Sequence, residues 1–216
     1  MKYSTVLFDL DGTLTDPEQG ICKSVMYALQ KAGNTVGNIE DYHKYIGPPL
    51  LPAFEAFDNA TPEEARILLE YYRERFSSVG LFENIPYPGI LELLRDLKLI
   101  GCKVAVATGK PTVFSEKIVA KFGFAPYIDY VSGTPLSEKS MDKCEVILTA
   151  LNHLGVSANN QCVMIGDRSH DAIGAKMANI DFIGVLYGYG SYDELSSEGA
   201  AVLVKTVSEL RNILLS

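Results

Sequence analysis

A chain of 216 residues, 47% of them hydrophobic, can bury a substantial core, either as one large domain or as a core with a small insert. Its formal net charge of −8, from 19 Lys and Arg against 27 Asp and Glu, argues against a nucleic-acid polymer as partner, because that binding rests on basic residues neutralising phosphates. The four cysteines are scattered without a C-x-x-C pair and no apolar stretch approaches a membrane span, so a soluble, cytoplasmic protein with reduced thiols and no membrane partner is expected.

Residues 5–8, Thr-Val-Leu-Phe, are a short β-rich apolar run bounded by a turn signal and read as a buried strand. Two carboxylates, Asp9 and Asp11, follow at once, then Gly12 and Thr13. From 17 to about 82 the pattern is helical throughout, with "EEARILLEYYRERF" as its clearest amphipathic piece and "IGPPLLP" and "FDNATP" as loops. Beyond it, strand-like runs at 103–107, 127–131, 162–165 and 182–186, with a weaker one at 201–204, alternate with helical patterns at 90–99, 113–122, 143–154 and 171–178. This alternation predicts an α/β core, a parallel sheet covered on both faces, interrupted by an α-helical insert after the first strand. The expected division is a core of 1–15 and 83–216 and an insert of 16–82. The insert would sit above the carboxyl ends of the strands.

Ligands of open parallel sheets bind beyond the carboxyl ends of the strands, so the residues that follow each strand matter most. The first strand gives Asp9 and Asp11, the second Thr108-Gly109-Lys110-Pro111, and the fourth Gly166-Asp167-Arg168-Ser169-His170-Asp171; Lys143 opens the helix between the third and fourth. Several carboxylates converging on one crevice repel each other unless a cation neutralises them, and magnesium suits oxygen ligands beside phosphate. Thr108, the amides around Gly109 at a helix N-terminus and Lys143 offer donors and positive charge to an anion. A carboxylate in line with such a phosphate can form an aspartyl-phosphate, while a second acid two residues away protonates the leaving oxygen and later takes a proton from water. Gly12 lets the chain turn sharply and bring amides close to the ligand.

"DLDGT" at 9–13, "VATGK" at 106–110, Lys143 in "DKCEVI" and "GDRSHD" at 166–171 resemble, in order and spacing, the four motifs of the haloacid dehalogenase superfamily. Within it the chain looks most like the phosphoglycolate phosphatase group, which includes members labelled as nucleotidases. The resemblance implies a Rossmann-like parallel core with a small α-helical cap between the first two motifs. It implies a magnesium-dependent phosphatase acting on a small phosphorylated metabolite. Asp9 would be the nucleophile and a magnesium ligand, and Asp11 the general acid and base, with its main-chain carbonyl on magnesium. Thr108 and Lys143 would hold the phosphoryl group with the Gly12 and Gly109 backbone, Lys143 would also steady Asp9, Asp167 would ligate magnesium, and Asp171 would ligate it directly or through a water. Asp11 favours phosphoryl chemistry, since dehalogenases attack carbon without a second acid.

Other readings stand beside these. Lys139 competes with Lys143, Thr108 could serve as a helix cap, and Asp171 could complement its helix dipole. His170 is expected on the surface, Arg168 beside a carboxylate, and "YGYGS" at 187–191 as a permissive loop at the crevice rim. Tyr71, Tyr72 and Phe76 fall at helical spacing and read as core of the insert. The turn "YIGPPL" at 45–50 is the candidate loop for substrate contact, with Lys44, Arg66 and Arg73 as candidate cations. The alternatives to a phosphatase are a phosphosugar mutase, a phosphonatase using Lys23, Lys31 or Lys44 as its amine, and a non-catalytic protein that binds phosphorylated metabolites.

Overall fold

The computed structural model describes residues 2–136 and 141–216; Lys139 lies outside them. The chain divides into two compact units, Met1–Asp16 with Pro86–Ser216, and Pro17–Ile85.

The first unit is built on a six-stranded parallel sheet: β1 (Thr5–Phe8), β2 (Lys103–Pro111), β3 (Tyr130–Thr134), β4 (Cys162–Gly166), β5 (Asp181–Val185) and β6 (Leu203–Val204), in the order β3-β2-β1-β4-β5-β6. Every residue of β1 and β4 is buried, as expected of central parallel strands that are covered on both faces. Leu7, Ala105, Ala107, Cys162 and Met164 pack in one layer with α6 (Lys143–His153) and α7 (Ser169–Met177). The alternate residues Val6, Phe8, Val104, Val106, Val163 and Ile165 are equally buried, and α4 (Ile90–Leu99) packs on β2 and on α9 (Val207–Leu215). Helix α4 buries Ile90, Leu93, Leu94 and Leu97, one face at helical spacing. Helices α5 (Thr112–Lys121) and α8 (Tyr192–Ser197) complete the unit.

The sheet order reverses between β1 and β4. Ligand crevices form at such a switch point, and here it brings the loop after β1 beside the loop after β4. The third strand forms at Tyr130–Thr134, later than the expected 127–131. Pro126 sits in a 3-10 turn, and the Asp129 carboxylate accepts from Val104 N–H at 2.8 Å and from Lys98, which anchors the turn ahead of the strand.

The second unit holds α1 (Glu18–Lys31), α2 (Leu50–Asp58) and α3 (Pro62–Phe76), with 3-10 turns at Ile39–Tyr45 and Gly80–Phe82. Thr61 and Glu64 cap α3 reciprocally, and Pro62 opens it. Tyr72 and Phe76 are buried and stacked at 5.1 Å, whereas Tyr71 lies under the Lys31 ammonium at 4.5 Å. In the 45–50 turn, Tyr45 and Ile46 are buried, Tyr45 against the rings of Phe54 and Phe57, which leaves Gly47 and Pro49 as its exposed part. Lys44 lies over the Phe57 ring at 4.9 Å, Arg66 pairs with Glu63 at 3.7 Å, and Lys23 is exposed.

Candidate active site

β1 ends at Phe8, and Asp9 carries its pairing one residue further, donating its N–H to the Ile165 carbonyl at 2.8 Å. The Leu10 carbonyl then accepts from Leu14 and Thr15 N–H at 2.9 and 3.0 Å, which closes a compact turn. Gly12 sits in that turn at φ +79°, and a Cβ there would come within 2.2 Å of Asp167 Oδ2. Only glycine serves both the turn and the close approach.

Lys143 is the first residue of α6, placed by an Asp142–Glu145 capping box. Its ammonium donates to Asp9 Oδ1 at 2.8 Å and reaches Asp171 Oδ1 at 2.6 Å. Asp171 lies in the first turn of α7, where its Oδ2 accepts from Arg168 N–H at 3.1 Å. One oxygen from each of Asp9, Asp167 and Asp171 lies within 4.8 Å of the others, and all three residues are buried.

Asp11 has a different partner. Its Oδ2 accepts from the Lys110 ammonium, both side chains being largely buried, while Oδ1 is buried without a hydrogen-bond partner among the described residues. Thr108 is buried, and its hydroxyl oxygen accepts from Lys110 N–H at 3.2 Å. Gly109 is exposed, and its carbonyl accepts from the Thr134 hydroxyl at 3.1 Å. Here the structure departs from expectation. β2 continues through Gly109 to Pro111, which is extended and registers with Thr134, so α5 starts at Thr112 and Gly109 belongs to the strand rather than to a helix N-terminus.

The loop at 187–191 has more than a rim role. Tyr189 N–H donates to Asp167 Oδ2 at 2.8 Å, the Tyr187 hydroxyl to the Thr13 carbonyl at 3.1 Å, and the Tyr189 hydroxyl to Asp16. Gly190 is packed so closely that a Cβ would fall 1.7 Å from the Asp167 carbonyl oxygen. The loop thus grips Asp167 through backbone. His170 is exposed, and Arg168 pairs with Glu194 at 3.0 Å.

Four buried carboxylates, Asp9, Asp11, Asp167 and Asp171, face the buried Lys110 and the part-buried Lys143, so that among these six described groups negative charge exceeds positive by two when all are ionised. The cost appears in the acids. Burial, with the Asp171 and Asp9 carboxylates, pushes Asp167 well above the usual carboxylate range. Burial pushes Asp171 up to about 6 against the pull of Lys143, and raises Asp11 against the pull of Lys110. Lys143 is drawn down by burial, but Asp171 and Asp9 hold it above its ordinary value. A converging oxygen set with excess negative charge fits a hard divalent cation.

A family model described as haloacid dehalogenase-like hydrolase matches residues 6–185. A 5'-nucleotidase of Pseudomonas aeruginosa is 41% identical, the alignment covering 99% of this chain and 96% of the relative. Tyrosine-protein kinase PtkA of Mycobacterium tuberculosis is 34% identical, over 97% of this chain and 72% of the kinase. In structure, a predicted phosphatase from Clostridium acetobutylicum superposes with a TM-score of 0.94 at 44% identity, covering 100% of this chain and 99% of that one. With a family match across most of its length and a 41% identical relative aligned nearly end to end, this chain belongs to the haloacid dehalogenase-like hydrolases.

Proposed function

We propose that this hydrolase is a magnesium-dependent phosphatase that cleaves a small phosphomonoester in two steps through an aspartyl-phosphate on Asp9. The observation that carries the reading is the division of labour between two acids on one turn. Lys143 holds one oxygen of Asp9, while Asp11 keeps a buried oxygen without a partner among the described residues. The oxygen cluster of Asp9, Asp167 and Asp171 would hold magnesium, with the Asp11 carbonyl as a further ligand. When bound, the ion neutralises the excess carboxylate charge and lets a phosphate dianion approach.

In the first step an Asp9 carboxylate oxygen forms a bond to phosphorus as the bond to the leaving oxygen breaks. Asp11 gives that oxygen its proton. In the second, Asp11, now a carboxylate, takes a proton from a water molecule whose oxygen attacks phosphorus, and Asp9 is released as carboxylate. Lys143 orients Asp9 and, with Thr108 and the Gly12 and Gly109 backbone, meets the charge on the phosphoryl oxygens. All of these groups belong to the unit formed by Met1–Asp16 and Pro86–Ser216.

The 41% identical nucleotidase puts nucleoside monophosphates first among substrates to try, with phosphoglycolate and sugar phosphates beside them. The test is phosphate release from these esters with and without magnesium, in wild type and Asp9→Asn. Magnesium-dependent release lost in the variant supports the reading; no release by folded wild-type protein contradicts it. Similarity to a tyrosine-protein kinase favours a second reading, transfer from Asp9 to a hydroxyl acceptor. Added phenolic or alcohol acceptors that draw label away from inorganic phosphate would support it.

A further inference from the structure

Between the register pairs Ala107↔Ser132 and Pro111↔Thr134, β2 advances four residues while β3 advances two. Such a bulge re-aims side chains at the end of a strand. Lys110 lies in the bulge, on the same strand end as Thr108, and is buried with its ammonium on Asp11 Oδ2. Lys143 is engaged elsewhere, with Asp9 and Asp171. Each of the two acids on the β1 turn therefore has its own lysine.

We infer that Lys110 is a positioning residue for Asp11: by holding Oδ2 it fixes the carboxyl so that Oδ1, buried and without a partner among the described residues, is the oxygen presented to the leaving group. This rests on the phosphatase reading above. A carboxyl group free to rotate spends little time aimed at one atom, and proton transfer requires hydrogen-bond reach. The function assigned to Lys110 is thus separate from phosphate binding and from holding Asp9.

A purely structural Lys110 would affect all substrates alike, whereas a lysine that aims the proton donor matters in proportion to how much the leaving oxygen needs a proton. The experiment compares kcat/KM, which reports steps up to release of the alcohol, for the best alkyl phosphomonoester and for 2,4-dinitrophenyl phosphate, whose leaving group departs without protonation. Lys110→Met is expected to lose about 10²-fold on the alkyl ester and no more than about threefold on the aryl ester, and Lys110→Arg to recover most of the difference. Asp11→Asn should show the same substrate-selective loss in larger measure. Equal losses on both esters overturn the inference while leaving the phosphatase intact; absence of turnover of either ester by wild type removes the phosphatase reading itself. If Lys110→Met does not fold, Lys110→Gln carries the same comparison, with a selective loss of about tenfold expected and an equal loss on both esters contradicting the inference.

Discussion

The two ends of the same sheet are built on opposite rules. At the amino end, Lys98, Lys103, Asp129 and His153 line a cavity of about 400 Å³. Lys98 pairs with Asp129 at 2.7 Å, Lys103 donates to the Leu154 carbonyl at 2.6 Å, and the His153 ring stacks on Tyr130 at 3.7 Å; Lys103 is exposed and Lys98 partly so, and water shares the load. At the carboxyl end, four buried acids gather round the buried Lys110 and the part-buried Lys143, with two carboxylates in excess among these described groups. Folding alone requires the first arrangement. The second costs stability, since buried charges are desolvated and like charges repel, and it persists where chemistry needs it.

Asp9→Asn should lower phosphate release by at least about 10⁴-fold while leaving the circular dichroism spectrum unchanged, because Asn keeps the shape of Asp9 but removes the attacking carboxylate, together with its charge toward Lys143 and the metal site. Residual turnover above that level would move the nucleophile to another residue. Lys143→Met strips Asp9 and Asp171 of their cation and is expected to cost about 3–5 kcal/mol in urea unfolding at neutral pH, as breaking a buried pair by one partner does. A smaller loss would mean that the carboxyl end is better hydrated than its burial indicates. Gly190→Ala forces a methyl group into the Asp167 carbonyl, so a loss of about 1–3 kcal/mol is expected, together with a higher magnesium requirement for activity. Unchanged magnesium dependence would confine the 187–191 loop to a packing role. Lys98→Ala, at the other end of the sheet, should change stability by less than about 1 kcal/mol and kcat/KM not at all.

The legible part of the molecule was local or periodic. Helix α4 announced itself by Ile90, Leu93, Leu94 and Leu97 at helical spacing, and the acids stood out because they interrupt an apolar strand. The switch between β1 and β4 brings Asp9, Asp167 and Asp171 together although they lie far apart in sequence, and the motif order anticipated that meeting. Helices α8 and α9 carry a local signal of a different kind. Ser191 with Glu194 and Thr206 with Glu209 have N-cap spacing, and each hydroxyl accepts from the glutamate N–H, at 3.0 and 3.1 Å.

What escaped has a physical reason. The partner of Lys110 lies 99 residues away and depends on a bulge, a feature set by pairing between strands and not by any pattern within one of them. The grip on Asp167 comes from the Tyr189 backbone N–H, a donor that nearly every residue carries and that no side-chain motif marks. Glycines at 188 and 190 were the available signal, since a loop that carries two glycines among aromatics is one that another backbone approaches closely.

The central claim is that the phosphoryl group passes through Asp9. The most direct measurement is acid quenching of enzyme mixed with magnesium and a ³²P-labelled phosphomonoester that it turns over, followed by peptide mapping. Protein-bound label is expected that is acid-stable and base-labile, maps to the peptide holding Asp9, and is absent from Asp9→Asn. Label on another peptide, or label that persists in Asp9→Asn, would contradict it.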